Sequence, residues 1–323
     1  MKAITRKRYG STKVLHFSDA VEPSPGPGQV RLAVAAASVN PYDWHFLRGE
    51  PYLVRFMSGL RTPKAPGLGA DVAGTVVELG EGVEDFAIGD EVFGWGAETF
   101  AESALAKARS LTHKPATMSF EVAAALPCAG ITALQSLRDK AKLQPGQSIL
   151  INGAAGGVGS LAVQIAKSKG ATVTGVCGPT SASMVQSLGA DFLVDYTKED
   201  FAKASKTYDI VLDLVGNRSL GDLRAAAGPK GIVVLSAGDK GKWLAPMKLA
   251  LQGVLQDRFV SQELHNLMAD INSSDLEILS QLFLSGSLVP VIERTFPLSD
   301  TAAAIELVEA GHVHGKLVIT VMS

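Results

Sequence analysis

The feature that most constrains this chain is a glycine-rich run, Ile149-Leu150-Ile151-Asn152-Gly153-Ala154-Ala155-Gly156-Gly157-Val158-Gly159. Its apolar start reads as a buried strand, and the residues after Gly159 read as a helix. A strand, a glycine turn and a helix in that order are what a dinucleotide-binding turn requires. Glycines let the backbone turn tightly and let a pyrophosphate approach, and the helix N-terminus offers free N–H groups to the anion. The spacing here is Gly-x-x-Gly-x-x-Gly, a departure from Gly-x-Gly-x-x-Gly. A turn needed only for close helix–strand packing is the alternative reading, and the setting argues against it. Short apolar strands at about 148–152, 171–177, 191–195, 209–215 and 231–236 alternate with helical segments at 160–169 and 181–188. That alternation implies a parallel sheet of βαβ units.

The chain before this region has another character. Up to about residue 110 it reads as short β-branched strands, such as 30–39 and 74–80, broken by Gly and Pro. The pattern suggests a barrel or sandwich. It changes near Ser119, which is placed to cap a helix. After a helical stretch at 275–284, residues 289–295 and 316–321 return to strand around a helix at 301–310. With 323 residues, two domains are expected.

Composition narrows the function classes. Apolar residues make up 46% and charged residues 19%, which suits packed cores and excludes whole-chain disorder. The net charge of −2 does not suit a nucleic-acid binder. Two cysteines, Cys128 and Cys177, suggest a reducing compartment and exclude a four-cysteine zinc site. Residues 149–166 have the length of a membrane span, but four glycines and several polar groups interrupt them. The first residues lack the apolar run of a signal peptide. A cytoplasmic protein with no membrane partner is expected.

The end of the second of these strands bears on cofactor choice. An acidic residue there would bond the ribose 2′-hydroxyl of NAD. The sequence is Thr174-Gly175-Val176-Cys177-Gly178-Pro179-Thr180-Ser181, with no Asp or Glu. Nothing there repels a 2′-phosphate, and Thr180 and Ser181 have hydroxyls to offer one. NADPH is therefore favoured, with NADH possible, although no Lys or Arg lies between Cys177 and Asp195.

Several further stretches share one resemblance. They are Ala37-Ser-Val-Asn40-Pro-Tyr-Asp43, Pro66-Gly-Leu-Gly-Ala-Asp-Val-Ala-Gly74, 83–94, Leu126-Pro-Cys-Ala-Gly-Ile-Thr132, the glycine turn, Leu188-Gly-Ala-Asp191, Asp195-Tyr196-Thr197 and Gly311-His-Val-His-Gly-Lys316. Each is weak alone. In this order and spacing, the chain resembles the medium-chain dehydrogenase/reductase superfamily, in its zinc-independent quinone oxidoreductase branch, along nearly its whole length.

The resemblance implies an α/β protein with a GroES-like β-barrel catalytic domain and an inserted Rossmann domain. The expected limits are 1–124 with 286–323 for the first and 125–285 for the second, with the cofactor in the cleft between them. It also implies a homodimer. Asn40 and Thr132 are implied near the nicotinamide and its ribose, where an amide and a hydroxyl would orient the ring. Gly156, Gly157 and Val158 would lie against the pyrophosphate. Thr180, Ser181 and Tyr196 are candidates for the adenosine phosphate end, and Lys316 for reaching the cofactor from the catalytic domain. Bland alternatives stand beside these: a turn at Asn40-Pro41, a helix residue bonding its own backbone at Thr132, helix capping by Ser181, a half-buried aromatic at Tyr196 and a solvated lysine at Lys316.

Zinc-dependent relatives hold catalytic zinc with Cys, His and usually a second Cys. This chain offers Asn40, Leu68 and Cys128 at those places, which does not make a tetrahedral site. No zinc is expected, and His45, His312 and His314 read as solvated or structural. Without a Lewis acid, alcohol oxidation is a poor fit, and reduction of an electron-poor small-molecule acceptor is a better one. The leading expectation is an NADPH-dependent reductase of quinones or α,β-unsaturated carbonyls. An alcohol or aldehyde dehydrogenase is one alternative, and a cofactor-binding scaffold or redox sensor another. Tyr42, Asp43 and Tyr52 lie where a proton donor would be sought. Tyr52 is the candidate acid or substrate contact, Asp43 reads as a loop-holding group, and water is a further proton source. Cys128 reads as a structural thiol. The apolar segment from Trp243 to Leu255 reads as core packing, with a cleft lining as the alternative.

Overall fold

The computed structural model describes residues 1–236 and 261–321. It separates into two compact units, Met1–Ile131 with Asp270–Ser323 and Thr132–Ala269. The first begins with β1 (Lys2–Thr5) and β2 (His16–Asp19), an antiparallel pair. Next come β3 (Gln29–Val39), α1 (Pro41–Arg48), α2 (Val54–Ser58), β4 (Asp71–Leu79), β5 (Glu91–Ala97) and β6 (Ser103–His113). Strands β3 to β6 pair antiparallel in sequence, and β3 also pairs with β6, so these strands close into a barrel. Closure removes the unpaired edges that an open sheet would expose. The alternation of side chains along β3 sends Val30, Leu32 and Val34 inward, where they are buried with Val72, Val76, Val92 and Leu111.

Helices α3 (Phe120–Ala124) and α4 (Pro127–Gln135) follow the barrel strands. Ser119 caps α3, its hydroxyl accepting from the Val122 N–H at 3.3 Å. The second unit then runs β7 (Ser148–Asn152), α5 (Gly157–Ser168), β8 (Thr172–Cys177), α6 (Ala182–Ser187), β9 (Phe192–Asp195), β10 (Tyr208–Asp213), α7 (Leu220–Ala226), β11 (Ala227–Leu235) and β12 (Glu263–Asn266). Its sheet is all parallel, in the order β12-β11-β10-β7-β8-β9. Strand β11 lies inside this sheet, between β10 and β12.

The chain then returns to the first unit through α8 (Ser273–Leu284), β13 (Ile292–Pro297), α9 (Thr301–Ala310) and β14 (Lys316–Thr320). Strand β14 runs antiparallel beside β3, with Leu317 opposite Val39, and β13 lies outside it. The division differs from the expected limits at 124/125 and 285/286. Residues 125–131 and 270–285 group with the barrel unit: the Cys128 N–H donates to Asp71 on β4 at 2.9 Å, and α8 packs against β6. The segment Trp243–Leu255, expected as core or cleft lining, lies outside the described residues.

Candidate functional site

In the parallel-sheet unit, the glycine turn joins β7 to α5. Gly153 has φ +88°, a conformation that L side chains rarely adopt, and Gly156 is the residue before the first helical turn. A Cβ on Gly159 would lie 2.0 Å from the Gly153 carbonyl oxygen, so the third glycine serves the closure of the turn itself. The Ser160 N–H donates to the Gly156 carbonyl at 2.9 Å. Gly157 and Val158 stand ahead of that bond, in the first turn where N–H groups have no partner within the helix. A twelve-residue helix with a glycine entrance fits a pyrophosphate.

The turn sits at the place in the sheet where the connections change direction. From β7 the chain winds outward through β8 to β9, then returns to β10 on the other side of β7 and winds outward through β11 to β12. Open parallel sheets take ligands outside the carboxyl ends of their strands at such a switch point. Two side chains at these strand ends, absent from the sequence-based candidates, hold the region together. Asn152 Nδ2 donates to Asp213 Oδ1 at 2.8 Å and to Asn217 Oδ1 at 3.1 Å, and Asp213 Oδ1 also accepts from the N–H groups of Val215 and Gly216. This bridge ties the loop after β10 to the turn after β7.

The end of β8 brings the adenosine-end candidates together. Tyr196 follows β9, and its hydroxyl would lie 3.1 Å from a Cβ on Gly178. Tyr196 is therefore beside Gly178-Pro179-Thr180-Ser181, with 56% of its surface exposed. Ser181 is buried, and its side chain makes no capping bond to α6, which counts against helix capping as its role. Thr180 is exposed. Asp195 lies near the same strand ends, where its carboxylate accepts from the Thr197 N–H and hydroxyl and pairs with Lys198 at 3.2 Å. Those contacts hold its carboxyl below the usual carboxylate range, the Thr197 hydroxyl first.

In the barrel unit, Asn40 follows β3 and caps α1. The alternative reading of Asn40-Pro41 as a turn gives way to a helix start, with Pro41 as its first residue. Asp43 Oδ2 accepts from the Asn40 N–H at 2.7 Å, half of a capping box. That leaves the Asn40 side chain for other work. Its Nδ2 donates to Asp71 Oδ2 at 2.8 Å, and its Oδ1 accepts from Lys316 Nζ. Lys316 is not a solvated lysine: it is 4% exposed, and its ammonium also donates to the Val39 carbonyl at 3.2 Å.

Asp71, also absent from the sequence-based candidates, is the hub of this cluster. It is fully buried at the start of β4. Its Oδ2 accepts from Ser38 Oγ and Asn40 Nδ2, both at 2.8 Å, with Lys316 Nζ at 3.5 Å. Its Oδ1 accepts from the Cys128 backbone N–H at 2.9 Å. The cue was a lone charge inside the apolar run Gly69-Ala-Asp-Val-Ala-Gly74, a place where an acid survives only with partners.

The candidate proton donors differ in chemistry. Burial, followed by the neighbouring Asp43 charge, pushes the Tyr42 hydroxyl up to about 12. Tyr42 stacks on Phe46 and meets Trp95 edge-on. Burial also raises the Asp43 carboxyl to about 7, with Asp71 adding to the rise and the Asn40 N–H and Lys316 opposing it. Tyr52 is half-buried beneath the Arg55 guanidinium, 4.7 Å from its ring centre. Thr132 lies on α4 in the other unit, partly buried. His45 is structural, its Nδ1 at 2.7 Å from the Glu50 carbonyl oxygen.

With this geometry in view, the relatives are informative. Residues 26–116 match the alcohol dehydrogenase GroES-like domain, and residues 188–319 match a domain described as zinc-binding dehydrogenase. The mouse mitochondrial NAD(P)H oxidoreductase RTN4IP1 is 33% identical over 361 aligned positions, covering 100% of this chain and 89% of that protein. The chain belongs to the medium-chain dehydrogenase/reductase superfamily, in its quinone oxidoreductase-like branch. Another relative, the chloroplastic NADPH-dependent alkenal/one oxidoreductase of Arabidopsis thaliana, is 32% identical over 99% of this chain and 79% of its own. Among solved structures of this superfamily, the quinone oxidoreductase of Coxiella burnetii superposes with a TM-score of 0.88 at 33% identity, covering 100% of this chain and 99% of that one. The barrel and the parallel sheet described above are the superfamily's GroES-like and Rossmann-type domains. Leu68 is packed into a core with Val39, Leu47 and Phe100.

Proposed function

We propose that this protein is an NADPH-dependent reductase that passes hydride to a quinone or an α,β-unsaturated carbonyl compound. The observation that carries the proposal is the Gly153–Gly159 turn at the switch point of a parallel sheet, opening a twelve-residue helix. The names of relatives in the same branch, which specify quinone and NADPH-dependent alkenal/one oxidoreduction, support the acceptor class. When bound, the nicotinamide cofactor supplies the hydride.

The chain's own residues supply position and surroundings. Gly156, Gly157 and Val158 bind the pyrophosphate through the first turn of α5. Thr180, Ser181 and Tyr196 bind the adenosine phosphate end; the absence of an acid on β8 from Thr172 to Cys177 supports NADPH over NADH. Asn40 and Thr132 orient the nicotinamide half. Lys316 acts through Asn40, because its ammonium is enclosed with that amide. Tyr52 contacts the acceptor. The acceptor's carbonyl serves as the electron sink, so no Lewis acid is needed. The donor set of an amide, an aliphatic side chain and a thiol at Asn40, Leu68 and Cys128 argues for a zinc-free site. The proton comes from Tyr52 or from water.

No described helix is long and apolar enough to cross a membrane. Two free thiols support a reducing, cytoplasmic setting, and a homodimer is the assembly proposed. The test is a fluorescence titration of the purified protein with NADPH and NADH, then oxidation of bound cofactor by a panel of quinones and enones. Saturable NADPH binding with acceptor-dependent oxidation is expected. Binding with no oxidation by any acceptor would refute the reductase reading, and no binding of either cofactor would refute the assignment of the turn.

A further inference from the structure

The barrel unit turns polar groups from four segments toward one enclosed carboxylate. Asp71 is fully buried, yet both its oxygens are occupied: Oδ1 by the Cys128 N–H, and Oδ2 by the Ser38 hydroxyl and the Asn40 amide, with the Lys316 ammonium close by. These groups come from β3, β4, the start of α4 and β14. A buried acid is costly unless paired and hydrogen-bonded, and this one is both. Its partners also constrain one another. Asn40 donates to Asp71 and accepts from Lys316, which fixes the orientation of the amide.

We infer that Asp71 is a positioning residue for hydride transfer: it does not touch the reactants, but fixes the Asn40 amide and the Lys316 ammonium that set the nicotinamide half of the cofactor. The inference rests on the reductase reading above. Its physical basis is donor matching. The groups bonded to the Asp71 side chain, the Ser38 hydroxyl, the Asn40 amide, the Cys128 N–H and the Lys316 ammonium, are all donors, so a carboxylate that accepts at both oxygens matches them. An Asp71→Asn carboxamide turns a donor toward one of them and leaves the Lys316 charge without its counter-ion. The amide at Asn40 then loses its fixed orientation. A loss of placement of this kind lowers the rate of the chemical step more than it weakens binding.

The experiment compares wild type, Asp71→Asn, Asn40→Ala and the double variant Asn40→Ala/Asp71→Asn. Thermal unfolding, NADPH titration, and kcat and KM for the best acceptor are measured on each. Asp71→Asn is expected to lower kcat by about 10- to 100-fold, with acceptor KM and NADPH affinity changing by less than about threefold. Asn40→Ala is expected to lower kcat similarly, and the double variant to be little worse than either. If Asp71→Asn fails to fold, Asp71→Asn/Lys316→Met removes both charges at similar volume and is measured in its place. It is expected to fold and to show the same fall in kcat. Unchanged kcat in a folded Asp71 variant, or losses at Asp71 and Asn40 that multiply, would overturn the inference while leaving the reductase reading intact. Wild-type protein that binds NADPH but reduces no acceptor would overturn that reading, and the inference with it.

Discussion

The two units prepare their chemistry in opposite ways. The parallel-sheet unit presents backbone, the glycine turn and the first turn of α5 proposed for the pyrophosphate, with Asn152 and Asp213 bracing it from the strand ends. The barrel unit offers side chains, with Ser38, Asn40, Asp71, Lys316 and the Cys128 N–H held in one enclosed network. A backbone site depends on conformation, so it is damaged by whatever changes φ or adds a Cβ. A side-chain site depends on charge and donor matching, so it is damaged by isosteric changes that leave the backbone alone.

The largest expected effects test the backbone side of this contrast. Gly157→Asp places a carboxylate against the pyrophosphate and is expected to abolish NADPH binding in a fluorescence titration, with the fold kept by circular dichroism. Normal NADPH affinity in that variant would put the cofactor elsewhere. Gly159→Ala acts differently, because its Cβ would meet the Gly153 carbonyl oxygen at 2.0 Å. That contact is with backbone and cannot be relieved cheaply. A loss of roughly 2–4 kcal/mol in urea denaturation is expected even without cofactor. A stability equal to wild type would show that the turn relaxes freely.

A smaller effect tests the side-chain unit through pH. The Asp43 carboxyl sits at about 7 in the folded chain because it is buried. Its folded value lies above its unfolded one, so the folded state holds its proton more tightly. The resulting stability is fully present below about pH 4 and is lost as pH rises through about 7. Asp43→Asn keeps an acceptor for the Asn40 N–H and removes the titration. Between pH 5 and 8, the variant is expected to gain stability relative to wild type by roughly 1–3 kcal/mol in paired urea denaturation series. Parallel curves would mean that Asp43 stays ionised.

The smallest effect sharpens the comparison at the adenosine end. Ser181→Ala and Tyr196→Phe are each expected to weaken NADPH by about three- to tenfold and NADH by less, the scale of one hydrogen bond. An equal loss for both cofactors would detach these residues from the 2′-phosphate.

The same contrast explains what was legible in the sequence. A backbone site needs consecutive residues, so the turn from Gly153 to Gly159 and the strand–helix alternation around it could be read directly. The strand at 148–152 and the helix at 301–310 fall where the pattern placed them. A side-chain site draws on distant segments, and nothing local says that residues 38, 71, 128 and 316 meet. Asn40 and Lys316 were reached through family resemblance, whereas Asp71 was visible only as a charge out of place in an apolar strand. Helix α1 was missed because Asn40-Pro41 suits a turn and a helix start equally well. Asp43 and its bond to the Asn40 N–H decide for the helix. The unit boundaries differ for a similar reason: whether residues 125–131 and 270–285 belong with the barrel depends on Cys128 reaching Asp71 and on α8 packing against β6, contacts that their own sequences do not announce.

The pairing of β14 with β3 has a consequence in time. Lys316 and Asn40 are 276 positions apart, and the whole parallel-sheet unit is synthesised between them. At a ribosome adding about 5–20 residues per second, Asn40 and Asp71 emerge many seconds before their ammonium partner. Until then the forming barrel carries a carboxylate without its counter-charge, and the end of β3 from Ala36 to Val39 lacks its β14 partner. The closed strands β3 to β6 come before that event, so a chain released before residue 316 has the glycine turn and those strands in its sequence but lacks the ammonium that completes the Asp71 network.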